Sequence, residues 1–192
     1  VVSLDNLLAG WIVLNDVLGA LREKEVFIPD LTYADLRNAK MSIEYLRSFD
    51  SEIRSGNQND ADTQLQITME LTIQRLRDTL MIWAEENSGV EYRNSWEERF
   101  EAAIRGESEE YKPESQVHIS DIPREKDVGF FRIKLPEEIL VEVISEIAED
   151  CMVNISLDGE RHLQVSGKKD CVRNAMQRIG QLFYGDSKLE TN

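Results

Sequence analysis

Phe131-Arg132-Ile133-Lys134-Leu135 alternates apolar and basic side chains, the two-residue period of a strand with one buried face. Upstream of it the apolar positions recur every three or four residues, which is the period of helices. The change of period predicts an α+β chain. An antiparallel helical bundle domain is expected over residues 1–112, then a small β-α-β-β-α domain over 113–192. The second domain opens with a hydrophilic linker containing Pro113 and ends in a frayed tail.

Downstream of that strand, Pro136 is expected to start a helix, since proline is tolerated in a first turn. Ile139, Val143, Ile147 and Ala148 would form its buried face. Met152–Leu157 and His162–Ser166 then read as two strands. Asp158-Gly159 between them is a hairpin signal, although the loop also contains Glu160. Gly167 is expected to close the second strand. A last helix follows over 169–183, with Val172, Ala175, Met176, Ile179 and Phe183 facing inward.

Upstream, Leu4, Leu7, Leu8, Trp11, Leu14, Leu18 and Leu21 make one apolar stripe on a helix over 4–26. Thr32 with Asp35 approximates a capping box for the second helix, whose buried face would carry Leu36, Ala39, Ile43, Leu46 and Ile53. The polar cluster Ser55–Asp60 would end it. Residues 63–87 fit both periods at their start, but a segment this long without Gly or Pro suits a helix and not one strand. Its surplus of apolar positions predicts burial on more than one side. Ser88-Gly89 would stop it. A fourth helix over 91–105 places Trp96, Phe100 and Ile104 on one face, with Gly106 as its stop.

Charge limits the partners. The formal net charge of the 192-residue chain is −15, a field that repels polyanions. Residues 1–112 hold 12 Lys/Arg against 22 Asp/Glu, and residues 113–192 hold 10 against 15. No apolar run reaches the roughly 18 residues of a membrane span. The first helix lacks the basic start of a signal peptide. Two cysteines, Cys151 and Cys171, do not make a disulfide framework. A cytoplasmic setting is expected.

A search for catalytic chemistry returns little. There is no glycine-rich phosphate loop. His118 and His162 are far apart, and the two cysteines lie twenty residues apart, so the ligand set of a zinc site is missing. No catalytic residues, cofactor or metal are predicted. The cysteines read as small hydrophobes, the acidic pairs as solvated faces, and Trp11, Trp83 and Trp96 as core. One surface stands out. Arg132 and Lys134 point away from Ile133 and Leu135, and Asn154, Ser156, His162, Gln164 and Ser166 share that direction if the helices cover the other face. Arg124 and Lys126 precede them. The candidate partner-binding surface is therefore Arg124, Lys126, Arg132, Lys134, His162 and Gln164; the plainer alternative is a face that meets water or packs within the protein.

Val153-Asn-Ile-Ser-Leu157, Leu163-Gln-Val-Ser-Gly167 and the helix carrying Val172, Ala175 and Ile179 resemble KH-like α/β modules. Those modules clamp single-stranded backbone on a G-x-x-G loop between two helices. Residues 137–150 hold no glycine, so that clamp is absent and RNA binding does not carry over. As a whole the chain resembles an archaeal family, mainly from methanogens, called domain of unknown function 2096. The matching stretches are Trp11-Ile-Val-Leu14, Asp35-Leu-Arg-Asn-Ala-Lys40, Trp96 with Ala103 and Gly106, Ile122-Pro-Arg124, and Phe131-Arg-Ile133. The resemblance implies a fold and a cytoplasmic archaeal setting, and no activity.

These readings favour a non-enzymatic interaction protein, a self-associating adaptor or homo-oligomer that binds proteins and no membrane. The alternative is a nucleic-acid or nucleoprotein factor using a degenerate KH-like domain, which the net charge disfavours.

Overall fold

Ser3 starts the first helix by accepting a hydrogen bond on its side chain from Asn6 N, and α1 then runs over Leu4–Glu23. The computed structural model describes residues 2–48, 59–113, 127–135, 140–159 and 161–184. Three more helices follow: α2 (Asp30–Arg47), α3 (Asp60–Ser88) and α4 (Val90–Ile104). Beyond them come β1 (Val128–Lys134), α5 (Val141–Cys151), β2 (Asn154–Asp158), β3 (His162–Lys168) and α6 (Lys169–Tyr184). The expected α+β order is present. The chain divides into two units. One takes Val1–Ile43 and Asn59–Ser115; the other takes Glu44–Gln58 and Gln116–Asn192.

In the first unit α1 packs on both α3 and α4. Its stripe is wider than sequence spacing implied: Ala9, Val13 and Val17 are buried along with the leucines. Trp11 is buried and its indole N–H donates to Leu36 O at 2.7 Å, tying α1 to α2. By length and mean hydropathy, 1.3 over an 18-residue window, α1 would also suffice to cross a membrane. Yet 61% of that window is buried inside the unit, as expected of a bundle's central helix. Gly10 lets α4 come close, since a Cβ there would lie 2.6 Å from Ile104 Cδ1. Gly89 alone joins α3 to α4, ending one and starting the other at φ +92°, a conformation glycine adopts without steric cost.

Several boundaries differ from expectation. Residues 60–88 are indeed one helix, but its cap is Asn59, whose side chain accepts from Asp62 N at 2.9 Å. The surplus apolar side chains on α3 do not face a second core: Ile67, Leu71 and Ile82 are exposed. α2 begins at Asp30, directly after Pro29, so Thr32 lies inside the helix and is buried. The expected positions Ile53 and Ser55–Gln58 lie outside the described residues. Trp83 and Trp96 are half-buried where core positions were expected; the Arg99 guanidinium lies 4.5 Å from the Trp96 ring centre.

The second unit holds an antiparallel sheet in the order β1-β3-β2. Helix α6 lies on β1 and β3, and α5 on β2 and on α6. Phe131, Ile133, Leu163 and Val165 are buried beneath Ile144, Ile147, Val172, Ala175, Met176 and Ile179. Helix α5 starts at Val141, later than expected, with Leu140 extended before it; 136–139 lie outside the described residues. β2 starts at Asn154, because Met152 adopts the left-handed conformation (φ 56°, ψ 46°) that ends α5. β3 runs through Gly167 to Lys168.

Candidate functional site

Alternation along a strand sends successive side chains to opposite faces, and the register shows which meet. Arg132 is aligned with Gln164, and Gln164 with Ser156. Lys134 aligns with His162 and on to Asp158, and Phe130 with Ser166 and on to Asn154. These three rungs make the face of the sheet opposite the helices. Arg132, Lys134, Asn154, Ser156 and Asp158 are exposed; Phe130, His162, Gln164 and Ser166 are half-buried. The structure thus brings Arg132, Lys134, His162 and Gln164 onto one surface. Arg124 and Lys126 lie outside the described residues.

Asp158 belongs to this face and did not figure among the candidates, having been read as part of the hairpin turn. The Arg132 guanidinium reaches across β3 to ion-pair with the Asp158 carboxylate. Half the basic charge expected of the rungs is therefore matched locally. The pair is well exposed on both sides, 50% and 63%, so solvent screening leaves it little stabilising effect. The alternation of β2 held the clue: Asp158 is two residues beyond Ser156 and must share its face.

The two edges of the sheet are treated differently. On β1, Phe130 N donates to Ser48 Oγ at 3.1 Å, and the Ser48 hydroxyl donates to Tyr45 O at 2.6 Å. Tyr45 is buried, and its phenol donates to Lys169 O at 3.3 Å. The last turn of α2 therefore meets the β1 edge within the second unit. Because Phe130 N points outward, Phe131 and Val165 face each other through their backbones. Gln164 and Ser166 then face β2, which leaves the backbone groups of Ile155 and Leu157 directed to the other edge. Among the described residues no strand lies beyond β2. An uncovered edge is a template for another strand, and folded proteins commonly guard it with charge or proline. Asp158 is the one charged residue of β2. Leu157, at 44% exposed, stands on this strand, and Leu140 and Val141 are exposed at the start of the helix that covers it.

Cys151 and Cys171 are both unpaired and half-buried. Arg178 holds Asp150 at 2.8 Å, and that hydrogen bond, partly offset by desolvation, raises the guanidinium pKa further. Such a pairing positions α6 against α5 and offers no reactive group. No group of three metal-ligating side chains occurs among the described residues.

Two family models match the chain. Residues 7–110 match the DUF2096 N-terminal four-helical bundle domain, and residues 127–185 match the DUF2096 C-terminal KH-like domain. No curated protein and no solved structure gives a match.

Proposed function

We propose, from the premise that the chain belongs to the DUF2096 family, that it is a non-enzymatic interaction protein that binds proteins through its KH-like unit. The observation that carries this reading is the β2 edge. It presents outward backbone groups at Ile155 and Leu157 beside exposed Leu157, Leu140 and Val141. Strand addition needs this combination: main-chain bonds supply affinity, and alternate side chains supply selectivity. A second copy of the chain is the simplest partner, with β2 pairing to β2 across a two-fold axis. The polar rungs of Arg132, Lys134, His162 and Gln164 flank that edge and would set partner choice by charge. A cytoplasmic setting belongs to the same reading, consistent with two free thiols.

The KH-like match favours a second reading, nucleic-acid binding. Against it stand the net charge of −15 and the absence of glycine between Gly129 and Gly159, where the backbone clamp of such modules would lie.

One experiment separates the two. Molar mass by light scattering should show a self-associated species that Leu157→Lys returns to monomer. That change should alter the stability of the single chain by less than about 1 kcal/mol, since Leu157 is 44% exposed. Arg132→Ala with Lys134→Ala should weaken association with equally little loss of stability. A monomeric wild type that instead binds mixed-sequence single-stranded RNA below about 1 µM at physiological salt would reverse the order of the two readings.

A further inference from the structure

The groove between α1 and α2 in the first unit is built by two helical stripes. Asn15, Leu18, Gly19 and Arg22 follow one face of α1, and Tyr33, Leu36 and Arg37 follow one face of α2. They enclose about 190 Å³. Leu18 and Leu36 are buried and form an apolar floor. Two guanidiniums, one amide and one phenol supply the polar wall.

The arginines of this groove differ from most in the unit. Arg75, Arg77, Arg93 and Arg105 each meet a carboxylate, and Arg99 is engaged by Trp96 and Tyr111. Among the described residues Arg22 and Arg37 meet none. The acid next to the α2 stripe, Asp35, is already held by Arg75 at 3.3 Å. Arg22 lies over the Tyr33 ring, 5.6 Å from its centre, which orients its guanidinium without neutralising it.

Gly19 is a second and independent observation. Glycine inside a helix costs stability relative to alanine, and here packing gives no return for it. A Cβ at Gly19 would meet nothing within 4 Å, and its φ is not one that only glycine adopts. The missing side chain instead leaves the groove open, as glycine does where a ligand approaches the backbone closely.

We propose that this groove binds the phosphate group of a small organic phosphate between Arg22 and Arg37. One carboxylate is satisfied by a single guanidinium fork, whereas a phosphate monoester carries nearly two charges and three acceptor oxygens. Two guanidiniums with no carboxylate partner match that charge. Asn15 and Tyr33 add neutral donors beside them, and the leucine floor accepts the ester's carbon skeleton.

The test is calorimetric titration of the full chain with inorganic phosphate at constant ionic strength, with acetate as the monoanion control. Phosphate should saturate one site with a dissociation constant below about 1 mM, and acetate should not bind. Arg22→Gln and Arg37→Gln should each weaken phosphate binding at least about tenfold, the effect of one lost charge-assisted contact. Gly19→Leu should abolish binding while leaving the phosphate-free melting temperature unchanged or higher, a combination that a purely structural role for Gly19 does not produce. Equal binding of acetate, no saturable phosphate binding, or phosphate binding unmoved by all three substitutions would each overturn the proposal.

Discussion

Helix α1 and strand β2 stand at opposite ends of one scale. In α1 even Ala9, Gly10 and Val13 are buried, because α3 and α4 pack on it and α2 is bonded to it through Trp11. In β2 no residue is fully buried; its pattern is exposed at every position except Ile155. An element surrounded on several sides can hold apolar residues all round, whereas a strand covered on one face at a sheet edge keeps half of its surface and half of its outer backbone for something else. The difference separates an element enclosed by its neighbours from one that, among the described residues, keeps an open edge.

The strongest way to break that comparison is to make one truncation in both places. Leu14 is 0% exposed and Leu157 is 44% exposed. Leu14→Ala should lower stability by about 2–5 kcal/mol, read by urea unfolding. Leu157→Ala should cost less than about 1 kcal/mol, because it removes few packed atoms. Similar losses at both sites, measured at a concentration where the chain is monomeric, would mean that Leu157 is packed within its own unit.

A smaller effect sharpens the contrast between the two edges. Ser48→Ala leaves Phe130 N without its acceptor and should cost about 1 kcal/mol. Amide hydrogen exchange at Phe130 should accelerate, while exchange at Ile155 and Leu157 should be fast in the dilute, dissociated chain and slow once β2 pairs with a second copy.

The smallest effect concerns pH and touches the bundle alone. Burial raises the Tyr111 pKa above its ordinary value of about 10, helped by the charges of Asp16 and Glu110 and opposed by Arg99. In the folded state the phenol keeps its proton at a pH where the unfolded chain has lost it. Its contribution is therefore complete below about pH 10 and declines as pH rises through the raised folded value. Tyr111→Phe should flatten the alkaline fall in melting temperature and leave the neutral value close to unchanged.

Much of the architecture was written in local spacing. The two-residue period of Phe131–Leu135, the leucine stripe of α1 and the uninterrupted length of 63–87 each predicted the element that forms, since burial of one face is a property of neighbours in sequence. The rungs of the outer sheet face followed from the same period, which is why Arg132, Lys134, His162 and Gln164 were legible as one surface. Two end points were legible less well. Thr32 offered a capping pattern that Pro29 pre-empted, and the alternation ahead of β2 hid the left-handed turn at Met152.

What periodicity could not supply was the identity of partners distant in sequence. That Arg132 reaches Asp158 depends on the strand order β1-β3-β2. That Ser48 meets Phe130 of β1 and Tyr45 meets Lys169 just after β3 depends on residues 82 and 124 positions apart along the chain being brought together. That Arg22 and Arg37 share a groove free of carboxylates depends on how α1 and α2 cross. The sequence by itself determined the elements, their order and which face of each is apolar, because those follow from steric and solvation preferences acting over a few residues. Only the tertiary structure decided which edge is covered and which charges are paired, because electrostatic and hydrogen-bond energies depend on distance in space and not along the chain.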